Sequence, residues 1–243
     1  MIDFICKRGA VLALVAGSAM VGTASADISA VVFNITATTP SGSYPFEVML
    51  DPGDVDANGN YHWALDGPVS VNDETGQQVF ELQGADITIF ADPSVSLNFN
   101  VLASQQNTVF SVNSAVLSFA ALPNAIGRAT AAVSVTDLNG DGATFTPTGA
   151  GAYSSFYNGA TPFQDLIGNV ITAPAFGSNA DSAVFPNAGY ANIGATLTDI
   201  SSTWNFTLSA GDLASGTSEF EVIPAPASTV LGLIALAGLR RRR

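Results

Sequence analysis

The sequence predicts an all-β protein, an antiparallel two-sheet β-sandwich with which a jelly-roll arrangement is compatible. Three observations carry that expectation. Polar and apolar residues alternate through all eight positions of Ser94–Val101, which places Val95, Leu97, Phe99 and Val101 on one face of a strand. Thr203–Leu208 repeats the pattern, with Trp204, Phe206 and Leu208 inward. Turn pairs that tolerate positive φ recur between such runs: Asn58-Gly59, Asp66-Gly67, Asn139-Gly140, Asp141-Gly142 and Asn158-Gly159. Many short strands joined by turns of this kind are the pattern of a sandwich.

Taken in order, Ile28–Thr38 opens the set, rich in the β-branched residues that suit strands. Tyr61–Leu65, Gln77–Leu82 and Ala85–Phe90 follow, then the Ser94–Val101 run. Thr108–Phe119 and Arg128–Thr136 read as two further strands. One stretch reads as helical: Thr161 as cap, Pro162 in the first turn, and Phe163, Leu166, Ile167 and Val170 on one face, with Gly168 limiting the length. Thr203–Leu208 and Glu219–Ile223 close the set, and no repeat of fixed period is present.

The ends of the chain read as targeting segments. Lys7 and Arg8 precede an apolar stretch, Gly9 to Val21, and Ala24-Ser25-Ala26 offers the small residues that a signal peptidase reads. Residues 1–26 are thus expected to be a signal peptide cleaved after Ala26, leaving a body of 27–222. Residues 223–243 form the other segment: Pro224-Ala225-Pro226, an apolar run from Ser228 to Leu239, and Arg240, Arg241, Arg242 and Arg243. Twelve helical residues span about 18 Å, short of a bilayer core of about 30 Å. The four arginines would hold the end on the cytoplasmic side.

This tripartite end resembles the PEP-CTERM sorting signal of Gram-negative bacteria, with Ala225 where the name-giving motif has Glu. The resemblance implies processing by an exosortase-type membrane peptidase. It also implies transient membrane association through the tail, and a destination at the cell surface, outer envelope or extracellular matrix. Thr203 to Asp212, followed by Ser215-Gly216-Thr217, and Val135 to Ala143 are similar to stretches in exported β-rich proteins with this tail. The resemblance implies location and little chemistry.

Composition narrows the function. Lys7, Arg8 and the terminal arginines account for six of the seven basic residues, and Asp3 for one of the twenty acidic ones. Residues 27–222 keep Arg128 alone against 19 acidic residues, a formal charge of −18. Such a surface repels nucleic acid and anionic lipid and attracts cations. The only cysteine, Cys6, lies in the signal segment, so the body has no disulfide and no thiolate chemistry.

Two loops match the opening of a calcium-binding loop, in which oxygen ligands at alternate positions surround a hard cation and a glycine at the sixth position permits the turn. One offers Asp137, Asn139 and Asp141 before Gly142; the other offers Asp54, Asp56 and Asn58 before Gly59. Thr148 and Leu65 stand where the twelfth-position Glu is needed, and strands flank both loops. The plain alternative for each is an acidic turn, a hairpin turn in the first case. His62, the only histidine, has no nucleophile motif beside it. The expectation is therefore a non-enzymatic structural or adhesive protein, calcium being the one candidate cofactor and exopolysaccharide a candidate partner. The alternative is a carbohydrate-binding module or polysaccharide hydrolase, with Tyr44, Tyr61, Trp63, Tyr153, Phe156 and Tyr157 as candidate stacking rings. An open sheet lined by such rings would favour the module, and two facing carboxylates in a cleft the hydrolase.

Overall fold

The computed structural model describes residues 27–225. The expectations for Ala24, Ala26, Pro226, the apolar run and Arg240–Arg243 lie outside them. In chain order the strands are β1 (Asp27–Ile28), β2 (Val31–Thr39), β3 (Gly42–Met49), β4 (Tyr61–Ala64), β5 (Val69–Asn72) and β6 (Gln78–Phe90). They continue with β7 (Ser94–Ala103), β8 (Thr108–Ser114), β9 (Leu117–Leu122), β10 (Ala125–Asp137), β11 (Ala143–Pro147) and β12 (Tyr153–Tyr157). The last are β13 (Thr161–Leu166), β14 (Ile171–Ala173), β15 (Ser178–Phe185), β16 (Ala191–Asn192), β17 (Leu197–Leu208) and β18 (Asp212–Pro224). A single turn of 3-10 helix spans Pro52–Asp54. Among the described residues no helix is long and apolar enough to cross a membrane.

The strands form two antiparallel sheets, so the predicted sandwich is what the chain adopts. In the first sheet, β17 is the long central strand. Along one edge it pairs with β9 and then β8, and along the other with β12 and then β11. β1 and β2 flank β9 and β8, β3 follows, and β13 and β14 form the opposite edge. The second sheet runs β15-β10-β18-β7-β6-β4, with β16 beside β10 and β5 beside β6. The alternation read in the sequence decides which residues meet between the sheets. Phe99 of one sheet stacks on Phe206 of the other at 5.5 Å and meets Trp204 edge-on at 5.5 Å. Phe206 also stacks on Phe145 at 4.5 Å.

Several expected elements differ in extent. The two predicted strands at 77–90 are one strand, β6, with a register shift between Leu82 and Gly84. Thr108–Phe119 is broken at Ala115-Val116 into β8 and β9. Glu219–Ile223 is only the end of the 13-residue β18, which runs two residues past Val222 to Pro224. Pro224 is in register with Ala125, and the Ala225 amide donates to Asn124 at 3.1 Å. Two residues of the Pro-Ala-Pro motif therefore sit at the end of a central strand.

The predicted helix is absent: Thr161–Leu166 is strand β13, paired only with β12. As an edge strand it tolerates Pro162, whose missing N–H costs no ladder bond on the open side. Phe163 packs on Phe220 at 5.1 Å across the sandwich. The backbone reverses at Ile167, at φ 59°, which buries Leu166 and Ile167 side by side and leaves Val170 exposed. The apolar spacing that mimics a helical face is thus a strand end followed by a turn.

Candidate functional site

Asp137 is the last residue of β10 and Asp212 the first of β18, and the two are direct partners in the antiparallel register. Inward positions alternate along both strands: Val133, Val135 and Asp137 on one, Asp212, Ala214 and Gly216 on the other. Both carboxylates therefore point to the core side at one end of the sandwich. Asp137 is 2% exposed and Asp212 fully buried. Exposed Asp141 completes a group in which one oxygen from each carboxylate lies within 4.8 Å of the other two.

Connections that change sheet build this end of the molecule. The segment after β10, Leu138–Gly142, carries the chain from the second sheet to the first, so it is a sheet crossing and not the hairpin turn expected. Gly140 and Gly142 both adopt φ 91°, a region open to glycine. The Gly140 amide donates to Asp137 Oδ2 at 3.0 Å, and the Asp141 amide to Asn139 Oδ1 at 3.0 Å. Asn139 Nδ2 reaches the carbonyl of Ala210, in the β17–β18 crossing, at 3.1 Å. From the β14–β15 crossing the Phe176 amide donates to Asp137 Oδ2, and the Asp137 amide donates to Gly177 at 3.0 Å. The β7–β8 crossing joins through Asn107, whose side-chain oxygen accepts from the Ala210 amide at 3.2 Å. Four sheet crossings thus converge on the two aspartates.

The two carboxylates are held differently. Burial pushes Asp137 upward, but the amides of Phe176 and Gly140 and a hydrogen bond from the Asp212 carboxyl in its protonated form outweigh it and hold its carboxyl below the usual range. Burial pushes Asp212 up to about 6, against the Ser209 hydroxyl, and the charge of Asp137 adds to the rise. Ser209 Oγ donates to Asp212 Oδ2, while Oδ1 is buried with no hydrogen-bond partner. Carboxylates directly opposite each other across a ladder destabilise it. Among the described residues the one basic side chain, Arg128, lies nine positions back along β10, about 30 Å away at strand rise.

Of the residues read in the sequence, the structure brings Asp137 and Asp141 together. Asn139 holds the loop through its amide group, and Thr148 lies past the end of β11. Asp212 escaped the sequence reading; extending the alternation of Glu219–Ile223 backward would have set it on the inner face. The other loop does not converge. Asp56 Oδ1 accepts the amides of Asn58 and Asn60, each at 2.8 Å, and Oδ2 accepts Asn60 Nδ2 at 3.0 Å. Its carboxylate is spent on its own turn, and Asp54 and Asn58 are exposed beside it.

The candidate sugar-stacking rings are mostly withdrawn. Tyr61 and Tyr153 are buried, and Trp63 packs on Phe33 at 5.5 Å. The broad groove across β7, β18, β10 and β15, about 620 Å³, is lined by small side chains, apolar ones such as Ala132, Val133 and Ala180 among Ser134, Ser182, Ser215 and Thr217, with the Phe99 ring at its floor. His62 is exposed on β4.

No family model matches the chain, and no curated protein matches it. Three solved structures are similar to it in outline. The isomalto-dextranase of Arthrobacter globiformis T6 complexed with panose is 9% identical over 81% of this chain and 32% of its own length, with a TM-score of 0.23. Broad bean stain virus is 11% identical over 90% of this chain and 96% of that chain, with a TM-score of 0.22. A cyclase from Fischerella sp. TAU is 10% identical over 79% and 86%, with a TM-score of 0.23. Likenesses this distant say nothing of this chain's chemistry.

Proposed function

We propose that the chain is an exported, non-enzymatic protein of the bacterial cell surface or exopolysaccharide matrix, with a structural or adhesive role. Signal peptidase removes residues 1–26, and an exosortase-type peptidase acts on the PEP-CTERM-like tail. The observation that supports the reading is the order of segments in the sequence: a basic, apolar and Ala-Ser-Ala start and a Pro-Ala-Pro, apolar and Arg-rich end stand on either side of a body that folds as a two-sheet sandwich. The repeated changes of sheet after β7 favour a jelly-roll-like description of the body. The withdrawal of Tyr61 and Tyr153 into the core favours a structural role over sugar stacking, which needs exposed rings. N-terminal sequencing of surface material should begin at Asp27, and intact mass should show loss of the segment holding Leu231–Arg243. A start at Met1, or mature protein that keeps all four arginines, would overturn the proposal.

A further inference from the structure

We infer that Asp137, Asp141 and Asp212 form a calcium site that clamps together the sheet crossings at the end of the sandwich opposite the Pro224 end of β18. It does not depend on the export reading. The site differs from the loop pattern read in the sequence, because its third carboxylate comes from a strand 75 positions beyond Asp137 in the chain.

Two independent observations point to a cation. The first is the convergence of three carboxylate oxygens within 4.8 Å of one another. At calcium–oxygen distances of 2.3–2.6 Å, oxygens bound to one ion stand at most about 4.6–5.2 Å apart, and a spread of no more than 4.8 Å falls within that limit. Magnesium demands a stricter octahedral geometry than calcium. The second is the Asp212 carboxylate. It is fully buried, faces Asp137, and has one oxygen held by Ser209 while Oδ1 has no donor at all. Buried acceptors are ordinarily satisfied, and an orphan carboxylate oxygen is costly. With no lysine and only the distant Arg128 among the described residues, a side-chain cation cannot supply the missing charge.

The surrounding bonds suit a ligand shell. Gly140 and Phe176 amides fix the Asp137 carboxylate, Ser209 fixes that of Asp212, and Asn139 ties the loop carrying Asp141 to Ala210. Such outer contacts orient ligands toward a metal. The purely oxygen donor set selects a hard cation. Exposed Asp141 leaves one side open to water, which completes the 6–8 ligands calcium takes. Because the ligands come from β10, the β10–β11 crossing and β18, the ion links segments that separate on unfolding.

The test is calcium titration of the purified full-length chain by calorimetry, with melting measured in calcium chloride and in sodium chloride of equal ionic strength. One calcium should bind with a dissociation constant of about 10⁻⁴ to 10⁻³ M, as in extracellular modules. At a hundredfold excess it should raise Tm by about 5–10 °C. Asp141→Asn, an exposed change that leaves the buried pair intact, should weaken binding at least about tenfold, the loss of one charged ligand. Asp212→Asn should abolish the calcium shift while melting higher than the wild type in chelator, because it removes the repulsion across the ladder. A merely structural aspartate would give the opposite sign. Equal melting of the wild type in both salts would overturn the site and leave Asp137 and Asp212 as a pair sharing a proton. Retention of the full calcium shift by Asp141→Asn would also overturn it.

Discussion

Trp204 Nε1 donates a hydrogen bond of 3.0 Å to Ser218 Oγ, joining the two sheets through the middle of the core. Trp204 lies on β17 and Ser218 on β18, and both are buried. Ser218 Oγ in turn donates to the Leu97 carbonyl at 3.4 Å. The bond fixes how one sheet sits over the other, which packing of rings alone leaves adjustable. Ser218→Ala strands the indole N–H and should cost about 1–3 kcal/mol in urea unfolding. Trp204→Phe should cost more, through lost volume. In a double-mutant cycle the pair should show a coupling of about 0.5–3 kcal/mol; strict additivity would mean that the bond contributes nothing.

Tyr153 presents the opposite case. Its ring packs against Trp204 at 5.4 Å, yet its buried hydroxyl has no hydrogen-bond partner. Burial pushes its ionisation well above the usual tyrosine range, so the hydroxyl stays neutral. Removing an unpartnered buried hydroxyl recovers its desolvation cost. Tyr153→Phe should leave Tm unchanged or raise it. A fall of several degrees would reveal a partner such as a bound water.

Gly216 on β18 stands directly opposite Phe99 on β7 within the second sheet, and the Phe99 ring lies over it. A Cβ placed on it would run into the ring of Phe99, which is itself packed on Trp204 and Phe206. Gly216→Ala should therefore destabilise by overpacking, by about 1–3 kcal/mol. Phe99→Leu in the same chain should restore part of the loss, since it clears the ring; a double variant no better than the sum of the singles would place the strain elsewhere. Phe206→Ala, which removes a ring stacked on both Phe99 and Phe145, should cost about 3–5 kcal/mol.

The sandwich was legible because burial in this fold follows period two, and long strands such as β7 and β17 display it without interruption. Edge strands were not. β15 reads Ser178-Asn179-Ala180-Asp181 and presents no apolar alternation, while β3 does alternate, with Tyr44, Phe46 and Val48 on one face, but Pro45 interrupts the run as a strand signal. Both have a ladder on one side only, where packing no longer dictates sequence. The 161–170 segment failed because its four apolar residues are spaced like a helical face, while a strand end and a reversal bury only Leu166 and Ile167 fully and leave Val170 exposed. At the candidate site, Asp137 and Asp141 could be read from local spacing. The inner face of Asp212 was readable by extending the alternation of β18, but its place opposite Asp137 was not, because that depends on which strands pair.

Asp73 and Asp56 make the acid response of two turns predictable. Asp73 Oδ1 accepts from the Thr75 hydroxyl at 2.6 Å and from the amides of Thr75 and Gln77, each at 2.9 Å. Those bonds, the Thr75 hydroxyl first, hold its carboxyl below the usual range. The Asn60 amide does the same for Asp56. A carboxyl whose pKa is lower folded than unfolded stabilises the fold fully above its unfolded value of about 3.9 and loses that contribution as pH falls through the folded value. Both groups are at the surface, so the effect is local to each turn and screened by solvent. Amide exchange at Gln77 and Asn60 should thus accelerate, relative to a short peptide of the same sequence, as pH drops from about 5 to about 2. Asp73→Asn keeps an acceptor oxygen but carries no charge. It should flatten the profile at Gln77 and leave that at Asn60 unchanged. An unaltered Gln77 profile in this variant would show that the Asp73 carboxylate does not hold the turn.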